Sequence, residues 1–511
     1  MSEPTRQHPV AALAKVVDII RQNFLTILIV VVAGGTSDEA IWNLVGLGGV
    51  AVVLLVWGVL DWLRFTYRVE EGELRIHQGV FVRKKLYLTP ERIQVINITS
   101  GLVQRMFGLV AVEVKTAGAS SKEARISALH REQAEQLEHM LRKKAAPASE
   151  GEGVREDYFP GSDRATEESG TRSDIYELGL RDLVVAASTS GSFGVALSIV
   201  GGFFSQIDQL VSEEQMMAWA ERFTPNMPST NLVILGVAAV IAISWLLAFL
   251  GTIIKYYGFQ VEVKEEELVI VHGLIEKKQL TIPYNRIQAL SMREELLRQP
   301  FGYVSLHLES AGYGDQGSNT ATLYPLLPRE DARDFIRRVV PEFDADLSGG
   351  REGPPRRAMR RYLLRMTWLG LGFALPFWFF VPYGGWALLA LPLAWLLGWA
   401  QYRAAGIGVR DGSLVICRRV LSKTTAVVKR YRVQAAELKQ NPFQRRLHLL
   451  SCQVTVASGS QGQSFSVREL DRETAHRYWL WCSSATKTIK SSKSESLKVG
   501  KSEVGKSEVG G

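Results

Sequence analysis

Two kinds of hydrophobic pattern alternate along this chain. The first is the long apolar run, at residues 24–33 (broken only by Thr26), 41–60, 183–204, 232–254, 367–381 and 386–399. About 20 such residues carry a helix across a bilayer. The second is strict alternation, as at Tyr67 and Val69, Leu74 and Ile76, Leu86 and Leu88, and Val110, Val112 and Val114. That is the period of a half-buried strand. Gly72, Gly79, Pro90, Gly101 and Gly118 punctuate this stretch, so about six or seven short antiparallel strands are expected before Leu129. The charged piece 131–144 closes it as a helix, with Leu137 and Leu141 one turn apart and facing the sheet.

The alternating stretch occurs three times. Arg92, Ile93 and Gln94 return as Arg286, Ile287 and Gln288, and again as Arg432, Val433 and Gln434. Eighteen positions before each arginine stands a leucine after a polar turn: Leu74, Leu268 and Leu414. Sixteen positions after it come Gly108 in Phe107-Gly108 and Gly302 in Phe301-Gly302, whereas the third copy has Leu447 and His448. A helix start of the form Leu-x-Arg-Glu-x-Ala follows at Leu129, Leu327 and Leu470. Landmarks in one order, three times over, mark a repeated folding unit.

The expected organisation is an α+β membrane protein with three transmembrane helical hairpins, six helices in all, alternating with three β-domains. Residues 1–64 hold a polar start and the first hairpin, 65–144 the first β-domain, and 145–181 a linker rich in Gly, Ser, Glu, Asp and Arg. Residues 182–255 hold the second hairpin, in which Ser188, Thr189, Ser190 and Ser192 are placed to let neighbouring helices approach closely. Its loop, 205–230, carries Met216, Trp219 and Phe223 in an amphipathic pattern suited to the bilayer surface. The second β-domain is 256–343, followed by a basic linker, 344–362. The third hairpin is 363–400, with Pro376 and Pro392 expected to kink its helices, and the third β-domain is 401–482. The tail 483–511, with its Lys-Ser-Glu-Val-Gly steps, has no apolar periodicity and reads as disordered.

Composition adds three constraints. A mean hydropathy of +0.02 alongside 22% charged residues means that apolar and charged positions are segregated. The net charge of +8 is concentrated beside the apolar runs, as at Arg351, Arg356, Arg357, Arg360, Arg361 and Arg365, which points to anionic head groups rather than nucleic acid. The short turns at 35–39 and 382–385 carry no Lys or Arg and the long loop only Arg222, while the opposite ends carry Arg64, Arg68, Lys255, Arg360, Arg361 and Arg403. Both termini and all three β-domains are therefore expected in the cytoplasm.

Membrane hairpins alternating with β-units that carry Arg-Ile-Gln and then Phe-Gly resemble the bacterial PH-like domain membrane proteins, the larger YdbT-like members with three such domains. The resemblance covers most of residues 24–482. It implies bent antiparallel PH-like barrels, each closed by a C-terminal helix, and a multi-pass plasma-membrane location. It also implies association with a smaller single-domain PH-like membrane protein, with homo-oligomers as the other kind of assembly, and a link to tolerance of membrane-active antimicrobial peptides. The departure at Leu447 and His448 puts any site at the third Phe-Gly turn in doubt.

Two readings of the signature stay open. In one, Arg92, Gln94, Arg286, Gln288, Arg432 and Gln434 form a surface for lipid phosphate or a partner. In the other, which is preferred, they bond neighbouring loops while Gly108 and Gly302 permit tight turns. Catalytic signals are missing: the eight histidines lack metal-ligand spacing, and there is neither a phosphate-binding glycine loop nor a nucleophile elbow. Cys417, Cys452 and Cys482 read as reduced thiols. The sequence therefore predicts no enzyme, cofactor or metal, but a binding or scaffolding platform for a protein partner or anionic lipid. A transporter or lipid-transfer component is the alternative. The runs 183–204, 232–254 and 386–399 contain no ionisable residue, which disfavours ion-coupled transport.

Overall fold

The computed structural model describes residues 5–22, 40–70, 73–79, 83–89, 93–116, 124–143, 174–204, 229–311, 320–347, 349–380, 384–458 and 462–483. The run 24–33, most of the first linker, most of the loop 205–230, Arg92 and the tail from 484 lie outside these. The protein is mixed α+β with several antiparallel sheets. It divides into two compact units, 1–283 and 284–511, and the division falls inside the second repeat, just before its signature arginine.

The first repeat contributes strands β1 (Thr66–Glu70), β2 (Glu73–Gln78), β3 (Lys84–Leu88), β4 (Ile93–Ser100), β5 (Leu109–Thr116) and β6 (Ala124–His130). The alternating residues turn inward as their period requires. Leu74, Ile76, Ile96, Ile98, Val112, Val114 and Ile126 form one core, onto which the helix Arg131–Lys143 lays Ala134, Leu137 and Leu141. Fully burying one such side chain contributes about 1.5–3 kcal/mol. The remaining strands of the first unit are β7 (Asp174–Glu177), from the end of the linker, β8 (Gln260–Val263), β9 (Glu267–His272) and β10 (Lys277–Pro283).

In the second unit, β11 (Ile287–Glu294), β12 (Tyr303–Ser310) and β13 (Thr320–Pro328) precede the third repeat. That repeat supplies β14 (Gly406–Arg410), β15 (Ser413–Arg419), β16 (Lys423–Lys429), β17 (Val433–Lys439), β18 (Leu449–Val456) and β19 (Gln463–Asp471). Its core gathers Leu414, Ile416, Val428, Val454, Phe465 and Leu470.

Sheets are shared between repeats. In the first unit one sheet runs β6-β5-β4-β10-β9-β8-β7, and in the second one runs β13-β12-β11-β16-β15-β14. At the first junction Lys278 faces Thr99, and at the second Thr424 faces Arg293. Counted from the repeat landmarks these are the same pair of positions. Both junctions therefore have one register.

The helical segments depart from expectation in three places. In the first hairpin, the helix Val10–Gln22 begins inside the stretch read as polar, and packs on Ala40–Arg64 with Trp62 Nε1 donating to the Gln7 carbonyl at 2.8 Å. The run 183–204 is not one straight helix: Leu180–Ser188 and Phe193–Gly202 are bent by 52°. Here the Ser188 and Thr189 hydroxyls donate to the Val184 and Val185 carbonyls at 2.8 and 2.7 Å, instead of to a neighbouring helix. Such back-bonding bends helices. In the third hairpin, Arg356 to Arg365 lie on the helix Arg356–Phe380, so that part of the basic stretch is helical. Pro392 falls in the first turn of Ala390–Ala404, which follows directly on the 3-10 turn Gly384–Leu389. Among the described residues one helix, Ile234–Tyr256, is long and apolar enough to cross a membrane, or two spans exist if the bent pair counts as one.

Candidate functional site

The structure gives the signature residues local tasks. In each repeat the register slips at the signature glutamine: between Ile93 and Val95, Ile287 and Ala289, and Val433 and Ala435. Gln94, Gln288 and Gln434 are thus bulge residues. Gln288 Nε2 donates at 3.1 Å to the Arg286 carbonyl, which also accepts from Ala311 N–H at 3.0 Å. Arg432 donates to the Asn285 carbonyl, stands 3.7 Å from Glu342, and stacks 5.0 Å from the centre of the Tyr431 ring. Gln434 is exposed.

The turn before the fifth strand of each repeat needs a left-handed residue. Gly108 has φ 65° and Gly302 φ 69°, and His448 holds the same conformation at φ 52°. Each N–H donates to the carbonyl three residues back, at 3.2, 3.2 and 3.3 Å. The third copy therefore departs in side chain and not in backbone.

The six basic residues before and along the start of the third hairpin have different surroundings. Arg356 and Arg360 are exposed and Arg351 half-buried. Arg357 pairs with Asp471, and Arg361 with Glu469 at 2.9 Å. Arg365 turns inward, donating to Gln401 Oε1 at 2.8 Å with its guanidinium 4.9 Å from the Tyr362 ring centre.

Arg365 lines a cavity of about 280 Å³ where the third hairpin meets β15 and β19. Arg418, Arg419 and Arg468 join it, Met366, Leu369 and Val467 make the apolar wall, and no carboxylate lines it. Burial, followed by the positive charges of Arg293 and Arg468, pushes the Arg418 guanidinium below its usual pKa. Arg419 Nε is buried without a hydrogen-bond partner. Val420 and Leu421, at the tip of the β15–β16 hairpin, are exposed, and the Val420 carbonyl accepts from Gln401 at 3.0 Å. Converging guanidinium groups beside apolar side chains suit a phosphate carried on an acyl chain.

Sequence reasoning found Arg365 and missed the other three arginines, yet the repeat contains their signal. Arg418 and Arg419 stand where the first two copies have Gln78-Gly79 and His272-Gly273, and Arg468 stands where they have Ser127 and Pro325. Residues peculiar to one copy are not required by the shared fold. A second cavity, about 320 Å³, lies beside the first hairpin, but there Lys15 pairs with Asp61, and Arg125 with Asp18 at 3.2 Å. Its charges are compensated.

Among the described residues no His, Cys, Asp or Glu cluster could hold a metal. The three thiols are buried, and burial pushes Cys452 up to about 11 and Cys482 to about 12, so both stay protonated at neutral pH.

Comparison with known proteins gives a consistent picture. The bacterial PH domain matches the chain three times, over residues 12–145, 220–342 and 366–486. The UPF0699 transmembrane protein YdbT of Bacillus subtilis (strain 168) is 32% identical over 494 residues, covering 94% of this chain and 99% of that protein. No solved structure matches.

Proposed function

The chain belongs to the bacterial PH domain family as a YdbT-like transmembrane protein, and from that membership we propose that it is a membrane-bound scaffold whose third repeat holds the phosphate of an anionic lipid. The carrying observation is the carboxylate-free cavity of Arg365, Arg418, Arg419 and Arg468 at the end of the third hairpin. In this reading the chain crosses the plasma membrane as three hairpins with both termini cytoplasmic, in keeping with the Lys and Arg content of its short flanks. The PH-like domains then recruit a protein partner, a smaller PH-like membrane protein or further copies of the chain, and perform no catalysis.

The test is lipid retention by the detergent-purified full chain, read by native mass spectrometry with phosphatidylglycerol and phosphatidylcholine offered together. Each basic group near an anionic head group contributes about 1 kcal/mol. Arg418→Gln with Arg468→Gln is therefore expected to lower phosphatidylglycerol retention by roughly thirtyfold, and Arg356→Gln with Arg360→Gln far less. Equal retention of the two lipids by the unaltered chain would sink the proposal.

A further inference from the structure

The register shared by the two junctions leaves two strands over. In each junction the strand after a signature arginine pairs antiparallel with the third strand of the following repeat: β4 with β10, and β11 with β16. Among the described residues β17 has β18 as its only neighbour in the sheet, and no strand stands at the position that β10 and β16 take beside β4 and β11. Likewise, among the described residues β3 pairs with β2 alone.

Both strands lack the cover their counterparts have. β11 is buried at seven of its eight positions, whereas β17 exposes Gln434, Ala435, Glu437 and Lys439. β16 buries Thr425 to Val428, whereas β3 exposes Lys84, Lys85 and Tyr87. The first strand of each repeat is met by the chain itself: Thr5 bridges to β1, β7 pairs with β8, and Glu352 bridges to β14. Trp479 Nε1 donates to the Ala436 carbonyl at 3.0 Å, which leaves that oxygen a second lone pair.

We infer that β17 of one copy pairs antiparallel with β3 of a second copy, continuing between chains the junction that each chain forms twice within itself. The occupant is a second copy because the two complementary edges are carried by the same polypeptide. The common register sets Lys84 opposite Lys439, Lys85 opposite Leu438, Leu86 opposite Glu437 and Tyr87 opposite Ala436. Such a contact is head-to-tail, so it builds rings or open chains rather than a closed isologous dimer. Like charges directly opposed disfavour pairing, and Glu437, whose carboxylate lies 3.0 Å from Lys439, sits diagonally to Lys84. Charge at Lys84 therefore tunes this interface.

The experiment uses two differently tagged full chains, Lys84→Cys and Lys439→Cys, mixed in detergent and mildly oxidised. The native cysteines are buried and do not compete. A mixed disulfide is expected from the pair, none from either chain alone, and none when Gln434→Cys replaces Lys439→Cys. Independently, Lys84→Glu is expected to raise the self-associated fraction roughly fivefold, read by mass photometry. A chain that stays monomeric, or a disulfide that forms as readily with Gln434→Cys, overturns the inference. So does an edge filled by a different protein with no self-crosslink. Should the cysteine variants melt below the unaltered chain, the Lys84→Glu comparison decides alone.

Discussion

Lys423 Nζ lies 2.6 Å from Glu294 Oε1, tying the first residue of β16 to the last residue of β11 across the second junction. Both side chains are nearly buried, at 13% and 8% exposure. Removing one member of such a pair strands a charge. Lys423→Met is expected to destabilise the chain by about 3 kcal/mol, the low end of the usual range, because Arg329 stands 3.8 Å from the other Glu294 oxygen. Thermal melting in detergent measures this, and Lys423→Met with Glu294→Leu should recover most of the loss. A double variant as weak as the single would refute the account.

The left-handed turns offer a paired test. A Cβ at Gly108 or Gly302 would meet nothing within 4 Å, so alanine there suffers only from its backbone torsion. Each substitution is expected to cost about 1–2 kcal/mol, while His448→Gly should not destabilise. Melting temperatures of the three variants check the sign.

Among the signature residues, Arg432→Ala is expected to cost about 0.5–1.5 kcal/mol by removing its hydrogen bond to the Asn285 carbonyl and its contact with Glu342. Gln434→Ala, at an exposed position, should stay within about 0.5 kcal/mol. Equal effects in a melting comparison would argue against a structural task for the arginine.

Glu309 on β12 is fully buried, accepting from Thr320 at 3.0 Å and Ser458 at 3.4 Å, and its burial raises its pKa from 4.5 to about 7. The folded chain thus holds a proton there that the unfolded chain releases above 4.5. Stability attributable to this group is present at acid pH and falls as pH rises towards 7, by roughly 3 kcal/mol across that window. Melting curves from pH 4.5 to 8 should show the decline, and Glu309→Gln should flatten it. An unchanged slope in that variant would assign the effect elsewhere.

Much of the fold is legible in local spacing. Leu74 and Ile76 face inward because a strand alternates, and Leu137 with Leu141 because a helix turns every 3.6 residues. The sharing of sheets is not legible, because nothing near Thr99 in sequence marks Lys278 as its neighbour. The bend after Ser188 escaped for another reason: a hydroxyl inside an apolar run can bond its own backbone or an adjacent helix, and composition does not say which. The arginine cavity needed the repeats to be compared at the positions where they differ, since Arg419 and Arg468 come together only through the fold.

The shared sheets also impose an order in time. β4 is synthesised early, but its partner β10 follows only after roughly 180 further residues, including the second hairpin, about 10–35 s later at ordinary rates of chain growth. Through that interval the nascent first repeat lacks the strand that completes its sheet, and such an open edge can capture a stray strand. β11 waits in the same way for β16, so a pause or truncation within either interval leaves a half-sheet with its partner unmade.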